Sequence, residues 1–502
     1  MRPPLVCATI TATNMRDLRR RRDAVRGADL VELRLDAVED LDVAGALSGR
    51  HIPAVVTCRP QWEGGLFRGS EAERHRILET ALAAGAEHVD IEWAAGFDDL
   101  LRHDQGRRVV LSMHDFDGIP SDLQDRVAAM RATGAAVIKI AVTAARLADC
   151  LRLPRPGPAA ASKTIVIAMG PSGVATRILA GRFGSPWVYA GDAAPGQVSL
   201  SDLLGLYRFR EIGAATTVYG LAGAPLGHSL SPAMHNAALA ALNIDAIYLP
   251  LATTSADDLL EFADGLGLAG ASVTAPLKVD VARRLAGLDE VAARVGAVNT
   301  IWRSARGWVG SNTDVAGFLA PLRDIGPLRG LQAAIVGAGG AARAAAVALG
   351  DAGAHVTVCA RRLAQARDVA DLASGSAREG CPVRGSWDLL INATPIGTSP
   401  DSDATPVPAE CLTGRIVYDM VYNPPVTRLL REARAAGCRT VSGLDMLVAQ
   451  AVRQVERWTG LRPDEGLMRT AAVERLAELA AATRDACREE RHARCNKEAY
   501  DH

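Results

Sequence analysis

A chain of 502 residues, 49% hydrophobic and 23% charged, has the composition of a soluble globular protein with room for two or three domains. Its net charge of −1 excludes the strong bias of a nucleic-acid or acidic-membrane binder. No apolar run approaches the roughly 20 residues that span a bilayer, and the nine cysteines are scattered without disulfide or metal spacing. They read as free thiols of a reducing compartment. The first strand-like run begins by Leu5, leaving no room for a leader, so a cytoplasmic location is expected.

Eight short apolar, β-rich runs open the chain, at residues 5–10, 30–36, 53–59, 88–93, 108–115, 137–143, 164–169 and 187–191. Helix-like segments rich in Ala, Arg, Leu and Glu separate most of them. Eight βα repeats predict a TIM (β/α)8 barrel over residues 1–210. Such a barrel carries its chemistry at the C-terminal ends of the strands. Polar residues fall there: Glu32 and Arg34 on the second strand, Arg59 on the third, His114 on the fifth and Lys139 on the sixth. Glu63 follows Arg59 in the loop above.

Only four of the 56 Lys+Arg residues are lysine: Lys139, Lys163, Lys278 and Lys497. Arginine stays protonated, whereas lysine can lose its proton and act as nucleophile or base. Lys139 stands inside the apolar run Val137-Ile138-Lys139-Ile140-Ala141-Val142, where no surface charge belongs. An amine among apolar walls sheds its proton more readily than one in water. A strand lysine beside a histidine is the equipment of imine chemistry: the amine captures a ketone, the iminium draws electrons and the histidine moves protons. The surrounding arginines imply an anionic or polyhydroxylated substrate.

These residues resemble the type I 3-dehydroquinate dehydratases. The resemblance rests on Glu32-Leu33-Arg34-Leu35-Asp36, Thr57-Cys58-Arg59 with Glu63, Ser112-Met113-His114-Asp115-Phe116, Lys139-Ile140, Arg177 before Phe183-Gly184-Ser185, and Ala194-Pro195-Gly196-Gln197. It implies a Schiff base at Lys139 with the C3 ketone, and His114 as general acid and base held by Glu63. It assigns the substrate carboxylate to Arg177 and Gln197, and the ring hydroxyls and ketone side to Glu32, Arg34 and Arg59. One departure is Ala193, where the family carries a serine two residues before the proline.

Residues 205–217 read as a linker, after which a new strand starts near Val218. Ser229 and Ser231, spaced to point the same way from an extended segment, could clasp a carboxylate; N-capping by Ser231 competes with that role. Lys278 and Asp314, brought together by folding, could shuttle the proton of an alcohol. The run Ala333-Ala334-Ile335-Val336-Gly337-Ala338-Gly339-Gly340-Ala341-Ala342 is an apolar strand entering a Gly-x-Gly turn, as in dinucleotide-binding Rossmann folds. The next strand ends at Arg361-Arg362 instead of an acid, which suits the 2′-phosphate of NADP.

This half resembles shikimate dehydrogenases from Val218 to about Ala480. Further motifs are Ile391-Asn392-Ala393-Thr394-Pro395, Tyr418-Asp419-Met420-Val421-Tyr422-Asn423-Pro424 and Gly443-Leu444-Asp445-Met446-Leu447-Val448-Ala449-Gln450. The resemblance implies catalysis by Lys278 and Asp314. Substrate would lie on Ser229, Ser231, Thr274, Asn299 and Gln450, with Tyr422 lining the site. NADP would contact Gly337, Gly339, Gly340, Ala341, Arg361 and Thr394, with Arg362 beside them. Departures are Ser272 in place of asparagine, expected to alter the support of Thr274, and Ala360 and Arg362 around Arg361.

The implied domains are a barrel at 1–210, a shikimate-binding domain at 218–320 plus 440–480, an NADP-binding domain at 321–439 and a charged, fraying tail at 481–502. Dehydrating 3-dehydroquinate gives what a shikimate dehydrogenase reduces, so the whole chain resembles the bifunctional fusions of these enzymes. Alternatives are an NAD-dependent quinate/shikimate dehydrogenase, or a metabolite sensor whose barrel has lost its chemistry. The implied partners are small-molecule substrates, with no nucleic acid, membrane or metal. Oligomeric state is not legible.

Overall fold

The computed structural model describes residues 3–154, 163–194 and 196–500; Pro195 of the 194–197 motif lies outside them. Eight parallel strands come first: β1 (Leu5–Thr11), β2 (Leu30–Arg34), β3 (Ala54–Thr57), β4 (His88–Glu92), β5 (Val109–Asp115), β6 (Val137–Thr143), β7 (Lys163–Met169) and β8 (Trp187–Ala190). They form one sheet in the order β7-β6-β5-β4-β3-β2-β1-β8. The predicted barrel is therefore present and nearly closed. Between its end strands the Ser185 hydroxyl accepts a hydrogen bond from Val166 N at 3.0 Å.

Inward residues alternate along each strand. Val137 and Ala141 pack in the barrel core with Cys7, Val55, Val110 and Ile165. Lys139 stands between them on the same face, so its inward direction follows from the strand period. The outer helices are uneven. Glu71–Ala83 starts on a complete capping box from Ser70 and Glu73, whereas Val174–Ile178 is a single turn. The expected linker is not featureless: Tyr207 and Phe209 are buried there, with a 3₁₀ turn at Phe209–Glu211.

The chain divides into two compact units. The first comprises Met1–Thr217 with Leu249–Thr253 and Asp257–Gly267, and the second comprises the remainder. Two sheets organise the second half. One has the order β10-β9-β11-β13-β14-β12, from β9 (Thr217–Gly223), β10 (Ala246–Ala252), β11 (Gly270–Val273), β12 (Gly287–Leu288), β13 (Thr300–Ser304) and β14 (Gly307–Ser311). The other contains β15 (Gln332–Val336), β16 (His355–Ala360), β17 (Ser376–Glu379), β18 (Leu389–Asn392), β19 (Ile416–Asp419) and β20 (Arg439–Ser442). Its order, β17-β16-β15-β18-β19-β20, is the doubly wound Rossmann order. The strand order reverses between β15 and β18, so the turns after Val336 and Asn392 meet at the switch point where such sheets bind ligands. The last helix runs Glu465–Tyr500. Helix thus continues to Tyr500 within the segment expected to fray.

Candidate active sites

In the first unit, Lys139 is 6% exposed and sits among charges, not only among the apolar walls expected from its strand. Its Nζ donates to Asp90 Oδ2 at 3.0 Å, lies 3.9 Å from Glu32 Oε1 and stands over the Tyr189 ring. Arg59 bonds Asp90 Oδ1 at 2.8 Å, Glu92 Oε1 at 2.6 Å and the Ser112 hydroxyl at 2.8 Å. Arg74, fully buried on helix Glu71–Ala83, holds the other Glu92 oxygen. Burial alone would lift the Asp90 carboxyl. The Arg59 and Lys139 charges outweigh it and hold Asp90 well below the usual carboxylate range.

His114 presents its Nδ1 to Glu63 Oε1 at 3.0 Å, and its backbone N–H donates to the same oxygen at 2.8 Å. Burial, with Arg59 and Lys139 close by, pushes the imidazole well below its ordinary value. It is therefore neutral, and in the tautomer that gives Nδ1–H to Glu63 its Nε2 is free to take a proton. Burial also raises Glu63, to about 7, against the opposing Arg59 charge.

Glu32 accepts from the Thr9 and Thr57 hydroxyls, both at 2.9 Å. Arg34 is tied bidentately to Asp36, with both bonds at 2.8 Å. Gln197 Nε2 donates to Thr9 Oγ1 at 3.1 Å. Arg177 differs from the other deeply buried arginines. It is 3% exposed, has no acceptor among the described residues, and burial lowers it to about 10. A cationic fork buried without a counter-ion is a ready carboxylate site. Glu32, Arg34, Arg59, His114, Lys139, Arg177 and Gln197 line one cavity of about 70 Å³ with Ala193 at its edge, and Glu63 stands behind His114.

Sequence reasoning missed Asp90 and Glu92. Their signal was present: two acids two residues apart in the buried strand His88-Val89-Asp90-Ile91-Glu92 share one face.

In the second unit, Lys278 opens a short helix and Asp314 opens another. Lys278 Nζ meets Asp314 Oδ2 at 2.5 Å. The Asn299 side-chain amide donates to Asp314 Oδ1 at 2.8 Å and to Gln450 Oε1 at 3.2 Å. Ser229, Ser231, Thr274, Tyr422, Ala341 and Thr394 join these four around a cavity of about 390 Å³. The Ser231 amide donates to Ser229 Oγ at 3.2 Å, and the two hydroxyls, of Ser229 and Ser231, also interact with Tyr422 and Tyr248 respectively. Ser272 does not reach Thr274; it donates to Gln454 Oε1 at 2.7 Å. Thr274 is held by its own amide bond to Ala222 O, and it packs where Gly223 has no Cβ.

Gly337, Gly339, Gly340, Arg361 and Arg362 lie outside that lining. Gly337 takes φ +116, and a Cβ there would come within 2.9 Å of Ala393 O. No side chain caps the helix Gly340–Asp351, and no atom comes within 4 Å of a Cβ built on Gly339. This open, uncapped helix start suits a phosphate group. Arg361 and Arg362 are exposed after β16, with no ion pair among the described residues. The donors fit a dinucleotide with an additional phosphate. One contact was not legible in sequence: a Cβ on Gly340 would meet Lys278 Cδ at 2.8 Å, so the glycine turn leaves room for the lysine.

A family model of type I 3-dehydroquinase matches residues 6–214. A model of the shikimate dehydrogenase substrate binding domain matches 221–301, and one of the shikimate 5′-dehydrogenase C-terminal domain matches 443–473. The chain is 34% identical, over 91% of its length and 82% of the relative's, to a chloroplastic bifunctional 3-dehydroquinate dehydratase/shikimate dehydrogenase of Arabidopsis thaliana. It is 45% identical to an NADP(+) shikimate dehydrogenase of Halobacterium salinarum, over 52% of this chain and 99% of that one. A crystal structure of a shikimate dehydrogenase in complex with NADP+ superposes with a TM-score of 0.50 and 34% identity, covering 53% of this chain and 97% of that one.

The Glu63 environment sets a pH test. Burial raises its carboxyl from 4.5 to about 7, so the folded barrel holds this proton more tightly than the unfolded chain. The stabilising contribution is complete below about 4.5 and is lost as pH rises through about 7. Glu63→Gln keeps an acceptor for His114 and removes the buried charge. Its melting temperature should exceed that of the parent by roughly 2–4 °C at pH 8 and match it at pH 4. Destabilisation at pH 8 in differential scanning calorimetry would refute the assignment.

Proposed function

This chain belongs to the family of bifunctional 3-dehydroquinate dehydratase/shikimate dehydrogenases, and on that premise we propose how its residues divide the work. The barrel dehydrates 3-dehydroquinate to 3-dehydroshikimate, and the second half reduces that product to shikimate with NADPH. The Lys139–Asp90–Arg59 cluster with its adjoining His114–Glu63 pair is the observation that carries the reading. The proposed division is a barrel at 1–210, a shikimate-binding domain at 218–320 plus 440–480, and an NADP-binding domain at 321–439.

In the barrel, Arg177 and Gln197 take the substrate carboxylate. Lys139 adds to the ketone and expels water, forming a cationic iminium beside Asp90 and Glu32. Asp90 is held ionised, so it stabilises that cation and is a poor base. His114 Nε2 removes the proton next to the iminium carbon and delivers a proton to the departing hydroxyl as water leaves. Hydrolysis of the product iminium frees the amine.

In the second half, bound NADPH supplies the hydride. Ser229 and Ser231 take the shikimate carboxylate, while Thr274, Asn299 and Gln450 hold the ring hydroxyls beside Tyr422. Lys278 sits where a proton must reach the carbonyl oxygen, and Asp314 fixes its Nζ. Gly337, Gly339, Gly340, Ala341 and Thr394 receive the dinucleotide, and Arg361 with Arg362 its 2′-phosphate. Among the described residues no helix is long and apolar enough to cross a membrane. A reducing, cytoplasmic setting suits the seven described cysteines, all free.

Four outcomes test these roles. Lys139→Ala should abolish dehydration and leave shikimate oxidation within twofold, with Lys278→Ala doing the reverse. Borohydride with 3-dehydroquinate should add one ligand mass at Lys139, as read by peptide mass spectrometry; dehydration without that label would sink the imine route. Replacing Arg361 and Arg362 together by Ala should raise KM for NADPH at least tenfold and leave KM for NADH nearly unchanged. Ala193→Ser should lower KM for 3-dehydroquinate, by at most the roughly 1.5–3 kcal/mol of one bond to a charged group. An unchanged KM would mean that another donor already serves.

A further inference from the structure

The second unit contains another cavity, of about 470 Å³, that none of the roles above uses. We propose that it binds a small carboxylate with an apolar body, and that this ligand adjusts the dehydrogenase site from outside it. The binding part of the proposal stands without the functional reading above; only the coupling part rests on it.

Arg453 supplies the charge. It lies half-buried on helix Gly443–Thr459, lines the cavity, and has no hydrogen bond or ion pair among the described residues. The neighbouring acids are already engaged. Asp289 holds Arg457 at 3.2 Å, and Glu456 holds Arg462 at 3.4 Å. The lining holds two acids and two arginines, but both acids are paired with other arginines, so Arg453 is the lining guanidinium without an acid of its own. The Ser311 hydroxyl, also without a partner among the described residues, lines the same cavity and offers a second donor. Val291 and Val315 supply apolar wall. A planar fork, a hydroxyl and an apolar wall together select a carboxylate on an apolar frame over a bare, strongly hydrated anion.

The route to the dehydrogenase site is short and covalent. Ser311, Asn312 and Thr313 line the cavity, and the next residue is Asp314. Asn312 Oδ1 accepts the Asp314 amide at 3.0 Å, and Thr313 Oγ1 bonds Gln450 O at 3.1 Å. Gln450 precedes Arg453 by three residues on the same helix, so the two lie on neighbouring positions of one face. A ligand that draws Arg453 and Ser311 together therefore acts on the backbone that sets Asp314 and Gln450. By linkage, shikimate must alter the ligand's affinity by the same factor.

The test uses the full chain, with benzoate, acetate and inorganic phosphate as probes at fixed ionic strength, in calorimetric titrations. The Ser231→Ala background weakens the carboxylate clasp of the dehydrogenase pocket. There, benzoate should still bind saturably and at least tenfold tighter than acetate or phosphate. Adding Arg453→Ala should weaken it at least tenfold, and Ser311→Ala should weaken it with Arg453 intact. In the otherwise unaltered enzyme, benzoate should shift KM for shikimate at least twofold, and Arg453→Ala should remove that shift. Absence of saturable binding, phosphate binding as tightly as benzoate, or loss of binding in Ser231→Ala with retention in Arg453→Ala would each overturn the site. Benzoate binding that requires Arg453 but leaves KM unmoved would overturn the coupling.

Discussion

The barrel depends on one buried chain of alternating charges. Arg74, Glu92, Arg59, Asp90 and Lys139 follow one another through hydrogen bonds, and all five are buried. Removing one partner of such a chain leaves its neighbour charged in a medium that cannot solvate it, at a cost of roughly 3–5 kcal/mol. The chain persists because every member is satisfied. Ser112 adds the remaining contact, touching both Arg59 and Asp90. Its benefit is placement. The amine of Lys139 is fixed by Asp90 on one side and by the Tyr189 ring on the other.

The same chain explains the division of labour among the titratable groups nearby. Arg59 and Lys139 act in opposite directions on two neighbours: they hold Asp90 ionised and help keep His114 neutral. A permanent anion beside the amine and a neutral imidazole nearby suit the imine-forming dehydration proposed for this site. Glu63, poorly solvated and only partly offset by Arg59, lies between these extremes. In the second half the arrangement is simpler. Lys278, Asp314, Asn299 and Gln450 form one network, and the lysine is partly open to the cavity.

Much of this was legible in the sequence because two periods are strong. Continuous apolar runs at regular spacing gave all eight barrel strands, with ends shifted by a residue or two. Inward alternation gave the direction of Lys139. The strand-turn-helix at Val336–Gly340 gave the nucleotide fold, because Gly-x-Gly has few other physical uses at the end of a buried strand. What escaped was pairwise. Asp90 and Glu92 belong to a strand that reads as ordinary, and their partners lie 31 and 33 residues away on β3's end. The contact of Gly340 with Lys278 joins residues 62 positions apart and leaves no local trace. The Ser272–Gln454 bond escaped for the same reason, which is why the support of Thr274 was sought in the wrong side chain.

The scarcity of lysine ties these observations together. Arginine stays protonated near neutral pH, even at Arg177, where burial lowers it to about 10, so the barrel's buried guanidiniums act there as fixed charges. A site built from such residues has a constant field. Against that background, chemistry that needs an amine to gain and lose a proton must use lysine, and each half holds one within reach of a carboxylate. The two lysines differ in surroundings more than in kind. Lys139 is enclosed, with acids placed to receive a cationic adduct. Lys278 opens onto a cavity of about 390 Å³, where it can exchange a proton without forming a bond to carbon. In the proposed mechanism, burial and charge order around the amine, set by residues far apart in sequence, separate covalent from acid–base use of the same side chain.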